Sequence, residues 1–225
     1  METLQQKVGY ASEEEIIQKI LNGETMLFEV LIRRYNPLLY KVARSYGFNH
    51  HDAEDLMQES HCAAFLHLGS FLKNASYKTW LTRIHLNKCY HKMNYGHLKY
   101  EELGDEFLTS QNQTMNATAE SRGPESELVN RELGKVLEES LQQIPLAYRS
   151  VFVLREIEGF NVAETADLLG LTHVNVKVRL SRARAMLQKQ LEKFYSAADL
   201  YEFHLKYCDK IVGNVFERIA AANRK

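Results

Sequence analysis

Two helical domains joined by a tether are the all-α fold class that this sequence predicts, and three observations carry the prediction. Apolar residues recur at helical spacing along most of the chain, and no stretch of the first half sustains period-two alternation. Residues 96–125 break the pattern: Gln111 to Ala119 hold almost no large apolar group, and Gly123-Pro124 follow, a composition that reads as a flexible linker. At 225 residues there is room for one large or two small domains.

The elements follow in order. Residues 13–21 read as a short amphipathic helix stopped near Asn22-Gly23. From Glu24, Leu27, Val30, Leu31, Tyr35, Leu38, Leu39, Val42, Ala43 and Tyr46 keep helical spacing; Pro37 should bend or restart that helix, and Gly47 should end it. A third helix starts at Asp52, a good N-cap with further acids where the helix dipole favours them. Its inward arc is Ala53, Leu56, Met57, Ser60, Ala63, Ala64, His67 and Leu68. Asp52, Asp55, Gln58 and Glu59 lie opposite, and Cys62, Phe65 and Leu66 continue that outer arc, which suits a surface covered by a partner. After a polar break at residues 69–76 carrying Phe71 and Lys73, a helix runs from Tyr77 to Lys92. Tyr77, Trp80, Leu81 and Ile84 can point inward, and Arg83, Asn87 and Tyr90 form an outer strip.

Beyond the tether, Leu128, Leu133, Val136, Leu137, Leu141 and Ile144 space as a helix ended by Pro145, and Tyr148, Val151, Phe152 and Leu154 as another ended near Glu158-Gly159. Residues 161–187 then have the mechanics of a helix-turn-helix. Ala166 is small where two helices cross, Gly170 permits a left-handed turn, Leu171 fills the core and Thr172 caps the second helix. Val176, Leu180, Ala183 and Leu187 face inward, leaving Asn175, Lys177, Val178, Arg179, Ser181, Arg182 and Arg184 outside. In the tail, Leu200, Phe203, His204, Tyr207, Ile211, Val215 and Ile219 form one stripe, expected to dock on the chain's own domains.

The net charge of −1 conceals segregation. From Ser60 to Tyr100 there is no acid and six cations: Lys73, Lys78, Arg83, Lys88, Lys92 and Lys99. From Leu171 to Leu191 there is again no acid, and Lys177, Arg179, Arg182, Arg184 and Lys189 are cationic. Two such segments are the footprint of phosphate contact. In the first, cations, aromatic rings and an amide are interleaved as single-stranded DNA requires; in the second, a helix offers Arg and Asn to the major groove.

No phosphate-cradling glycine loop, nucleophile elbow or catalytic carboxylate pair occurs, so neither catalysis nor a cofactor is expected. His85 and Cys89 stand at i, i+4, with His61, Cys62 and His91 near, a spacing that could hold zinc, but no CxxC or HExxH occurs and scattered His and Cys are common in cores, so no metal is expected. Three scattered cysteines, no run of membrane-span length and no signal sequence point to the cytoplasm.

Asp52-Ala53-Glu54-Asp55-Leu56-Met57-Gln58-Glu59 closely resembles the polymerase-binding helix of bacterial sigma factors of the sigma-70 family, in the extracytoplasmic-function subgroup, where the pattern runs D-A-E-D-[LIV]-x-Q-[ED]. Thr79–Asn87 ("TWL-x-RI-x-x-N") resembles the helix that reads the melted −10 element, and "VKVRLSRAR" the helix that reads the −35 duplex. The resemblance covers residues 24–190. It implies core RNA polymerase as a partner, met by Asp52, Asp55, Gln58 and Glu59. It implies promoter DNA, met at −10 by Phe71, Lys73, Lys78, Arg83, Asn87 and Tyr90, with the loop 69–76 pocketing a flipped base. At −35 it implies Asn175, Lys177, Val178 and Arg182 on bases, with Arg179 and Arg184 on phosphates. An anti-sigma factor is expected by resemblance only. The implied domains are 1–95, the linker 96–125, the −35-reading domain 126–190 and an extension 191–225. The competing readings are a helix-turn-helix regulator with an amino-terminal sensor, and a protein-interaction adaptor.

Overall fold

Ser12 starts the first helix. Its hydroxyl accepts from the Glu15 amide while the Glu15 carboxylate accepts from the Ser12 amide, and three glutamates occupy the first turn. The helix α1 (Glu13–Leu21) buries Ile16, Ile17 and Ile20. The computed structural model describes residues 12–71, 74–101, 124–194 and 205–222, and among them no strand occurs.

A 3₁₀ turn (Thr25–Leu27) leads into α2 (Phe28–Ser45), which runs unbroken through Pro37. The expected restart there does not occur. Pro37 lies on the solvent side, where water can take the carbonyl its missing N–H leaves free, while Val30, Leu31, Tyr35, Leu38, Leu39 and Val42 anchor the buried side on both flanks. Each such buried side chain contributes about 2 kcal/mol, so together they outweigh the roughly 3 kcal/mol cost of an interior proline. Gly47, at φ 92°, turns the chain beyond the helix.

Helix α3 (His50–Leu66) begins earlier than expected: Asn49 is its N-cap, accepting from the Asp52 amide at 2.9 Å, and Asp52 sits inside the first turn. Asn is as good a cap as Asp, and the earlier start adds His50 and His51 to the helix. Its inward arc is Ala53, Leu56, Ser60, His61 and Ala64. His67, read as inward, is exposed because the helix ends at Leu66 and His67 becomes its C-cap, and His61, which the periodicity reading did not place on the inward arc, is buried. Helix α4 (Tyr77–Glu101) packs along α2 and α3, burying Tyr77, Leu81, Leu86 and Cys89.

The second domain comprises α5 (Pro124–Gln142), α6 (Leu146–Phe152) continued by a π-helical turn (Val153–Ile157), α7 (Val162–Leu169) and α8 (His173–Leu191). Asn161 and Glu164 form a capping box on α7, Gly170 closes it at φ 64°, and Thr172 caps α8 by accepting from the Asn175 amide. Val151, Ala166, Val176 and Leu180 make the core of this helix-turn-helix. The stretch read as a linker is thus helical at both ends, up to Glu101 and from Pro124, and 102–123 lie outside the described residues. A last helix, α9 (Leu205–Ala222), leaves Ile211, Val215 and Ile219 about half exposed, at 51%, 48% and 48%, so the expected docking of this stripe onto the chain is not seen. Leu200, Phe203 and His204 lie outside the described residues.

The two domains meet directly. Leu154, Phe160 and Leu168 are buried in the cluster of the first domain, with Ile16, Leu31, Tyr77 and Leu81, and not in the helix-turn-helix core. At the edge, the buried Arg149 guanidinium donates to the Ser45 carbonyl at 2.5 Å and the Gln142 carbonyl at 2.7 Å, so a second-domain cation closes the carbonyl end of α2. Burial pushes the Arg149 pKa down from its ordinary value. Gln142 Nε2 also donates to the Arg44 carbonyl at 2.8 Å, and Arg44 pairs with Glu138. Arg149→Met orphans two carbonyls, which should lower the unfolding free energy by about 2 kcal/mol. Calorimetry should then show the single transition of the parent chain separating into two.

Candidate functional site

The outer face of α3 presents Asp55, Gln58 and Glu59, then Cys62, Phe65 and the 78%-exposed Leu66, so its acids lead into an apolar end. None of its acids is free of a neighbour. Asp55 pairs with His51 one turn back at 3.1 Å, and Glu59 with Lys88 of α4 at 3.1 Å. Asp52 is held most firmly: Lys92 of α4 lies at 2.6 Å and Asn49 Nδ2 donates to it at 2.9 Å. Lys88 and Lys92, counted in sequence as part of a phosphate footprint, therefore serve to hold α4 against α3.

The other side of α4 carries the residues expected at −10. Asn87 and Tyr90 are exposed. Phe71 is half-buried and packs on Tyr77 and Trp80, with ring centroids 5.8 and 5.2 Å apart, so it supports the start of α4. Lys73 lies outside the described residues. Arg83 pairs with Asp167 of α7 at 2.8 Å. Lys78 donates to the Glu158 carbonyl and stands 4.3 Å above the Phe160 ring. Ser76 caps α4 by accepting from the Thr79 amide, and the Thr79 hydroxyl donates to Glu164 at 3.2 Å. Glu158 also takes an ion pair from Lys41 of α2 at 2.9 Å. Arg149, Glu158, Phe160 and Asp167 were not singled out from the sequence; their partners lie 80 or more residues away, and no local pattern marks them.

On α8 the exposed face begins at once. Val174, Asn175, Lys177 and Val178 stand clear, with Val174 and Val178 one turn apart on one side. Arg182 lies 3.4 Å from the Tyr148 hydroxyl and Arg179 3.5 Å from the Ala147 carbonyl, both at the outer limit of a hydrogen bond. Arg184 is engaged at 2.8 Å with Glu156. The helix can thus offer a β-branched apolar pair, an amide and cations to a groove, with Arg184 having to leave its carboxylate first.

His85, Cys89 and His61 are internal. Burial lifts the Cys89 thiol to about 12, and the imidazoles bond to Ser60 and Asn36. Among the described residues no group of metal-ligating side chains converges.

Residues 31–95 match the family described as Sigma-70 region 2, and residues 135–187 match Sigma-70, region 4. The chain is 30% identical over 179 residues to the ECF RNA polymerase sigma factor SigW of Bacillus subtilis (strain 168), covering 78% of this chain and 94% of that protein. It is 31% identical over 172 residues to the RNA polymerase sigma factor CnrH of Cupriavidus metallidurans, covering 76% of this chain and 90% of that one. Its fold is similar to that of CnrH in complex with the cytosolic domain of CnrY, with a TM-score of 0.54 and 26% identity over 79% of this chain and 96% of the other.

Proposed function

The chain belongs to the sigma-70 family of RNA polymerase sigma factors, in its extracytoplasmic-function group, and from that membership we propose how its surfaces divide the work of promoter selection. It directs core RNA polymerase to promoters. The observation that carries this is one of order: region 2 at 31–95 and region 4 at 135–187 stand in a single chain that spans 94% of SigW. Region 2 occupies the place where a regulator would carry its sensor.

In this reading the outer face of α3, with Asp52, Asp55, Gln58 and Glu59, docks on the polymerase. Phe71, Lys73, Lys78, Arg83, Asn87 and Tyr90 hold the melted −10 strand. Asn175, Lys177, Val178 and Arg182 read −35 base edges, while Arg179 and Arg184 hold phosphates. The working units are residues 1–95, the tether 96–125, residues 126–190 and the extension 191–225. No catalytic role of its own is assigned to the chain, and no cofactor or metal. Among the described residues no helix is long and apolar enough to cross a membrane, and the proposed place of work is the cytoplasm, on the polymerase. An inhibitory protein partner is proposed by analogy with CnrH, solved with the cytosolic domain of CnrY.

The test is reconstitution. Sigma-free bacterial core polymerase, loaded with this chain, should select and transcribe a subset of templates from a randomised promoter pool; no enrichment overturns the reading. In the same assay Arg182→Ala should cost about tenfold to a hundredfold and relax preference at one −35 base pair, the size of a lost bidentate base contact. Arg184→Ala should weaken all templates alike, because a phosphate contact carries no sequence information.

A further inference from the structure

Helix α8 has an apolar crest. Val176, Leu180 and Ala183 bury its inner line. At about 100° per residue the line opposite is Val174, Val178, Ser181 and Ala185. All four are exposed, Val174 at 68% and Val178 at 42%. None carries a charge, and only Ser181 has a hydrogen-bonding side chain, although the surrounding stretch from Leu171 to Leu191 holds five cations and no acid. The polar groups stand to the two sides instead. Lys177 and Arg184 lie along one flank of the crest, Asn175 and Arg182 along the other.

The two valines do nothing for the free chain. A β-branched side chain lowers helix propensity, and here neither is packed into the helix-turn-helix core. A duplex major groove is the surface that matches this cross-section. Its walls are two rails of phosphate, and the apolar group on its floor is the C5 methyl of each thymine. A helix that enters crest first sets its methyls on that floor and its cations toward the walls. The place along the helix fits as well. Val174 lies in the first turn, directly behind the Thr172 cap, and it is the amino-terminal end of a recognition helix that meets base edges. Further along, the short side chains of Ser181 and Ala185 let the backbone sit deep in the groove.

We infer that Val174, acting with Val178, determines specificity: the pair presents its methyls to the C5 methyls of two thymines on the floor of the −35 major groove. Residues at i and i+4 lie about 6 Å apart along a helix, so the two thymines stand no more than about two base-pair steps from one another. Thymine is thereby read by its methyl, while Asn175, Lys177 and Arg182 remain for hydrogen bonds to other edges.

This inference rests on the proposed assignment of α8 to the −35 duplex, and its test separates the two. Sigma-free core polymerase is loaded with the full chain and a promoter is selected from the randomised pool. Each −35 thymine of that promoter is then replaced by deoxyuridine, which lacks only the methyl. Two replacements should each weaken holoenzyme binding about fourfold, and together about fifteenfold, the size of one methyl group returned to water at each position. In the double variant Val174→Ser with Val178→Ser, thymine and deoxyuridine templates should bind alike. The double variant Val174→Thr with Val178→Thr keeps one methyl at each position and should restore part of the difference. Arg184→Ala should weaken both templates and leave their ratio unchanged. Far-UV circular dichroism confirms that each variant remains helical. A parent holoenzyme that binds both templates alike overturns the inference and leaves promoter selection standing. So does a difference that survives in the serine double variant, because another group must then touch the methyls. If the loaded polymerase selects no promoter at all, the functional reading and this inference fall together.

Discussion

Replacing Asp55 and Glu59 together by arginine should abolish capture of core RNA polymerase while leaving the chain folded. The expected loss is at least about a hundredfold in affinity, because setting like charges against one another across an interface costs several kcal/mol. Folding should scarcely notice. The pairs that would be lost, Asp55–His51 and Glu59–Lys88, are exposed on the acid side, and such pairs contribute about 0–1 kcal/mol each. Asp52 is the wrong residue for this experiment, although it begins the family motif. Lys92 and Asn49 bind it and its amide takes the helix cap, so reversing its charge would weaken the start of α3 itself. Measured against immobilised sigma-free core enzyme, affinity for the double variant within threefold of the parent chain would falsify the assignment of α3 as the docking face. Leu66 supplies an independent check. It is the most exposed apolar side chain on that face, and Leu66→Ser should weaken docking about tenfold, the size of one buried apolar anchor.

What could be read from the sequence was what neighbours in sequence decide. Helical spacing, Gly170 at a left-handed turn and Thr172 as a cap are local matters, and the structure places each as expected. The inward face of α3 was legible except at His61, a polar ring that an apolar stripe does not single out, and at His67, where the register depended on knowing that the helix stops at Leu66. Pro37 misled because a propensity rule speaks for an isolated helix, and here buried residues on both flanks override it. The distribution of charge was visible, but its use was not. Lys88, Lys92, Lys78 and Arg83 belong to one acid-free segment in the sequence, yet the first two face α3 and the last two face the second domain. A single chain holds no record of which acid, 29 or 84 residues away, a given lysine or arginine will meet.

Mild acid should destabilise this protein, and two buried histidines in the first domain are the reason. His61 Nε2 donates to Asn36 Oδ1 at 2.9 Å. His85 Nδ1 lies 2.8 Å from the Ser60 hydroxyl, which itself donates to the Leu56 carbonyl at 2.6 Å, so the ring must be the donor in that pair. Both rings are buried and neutral, and burial lowers each pKa from 6.5 to about 4. Above pH 6.5 neither the folded nor the unfolded chain protonates them, and stability is indifferent to these groups. As pH falls below 6.5 the unfolded chain takes up protons that the folded chain refuses until about 4, so stability is lost through that window. At pH 5 the loss is about 2 kcal/mol per ring, roughly 4 together, a large part of the 5–15 typical of a domain. Urea unfolding at pH 7 and pH 5 measures it directly, and His85→Gln should remove about half of the difference. A free energy that changes by less than about 1 kcal/mol between the two would mean that the rings are not buried neutral in solution. Because His61 lies on the inward side of α3, the helix proposed to dock on polymerase, its protonation should loosen that face before the helix-turn-helix, whose core contains no histidine, responds at all.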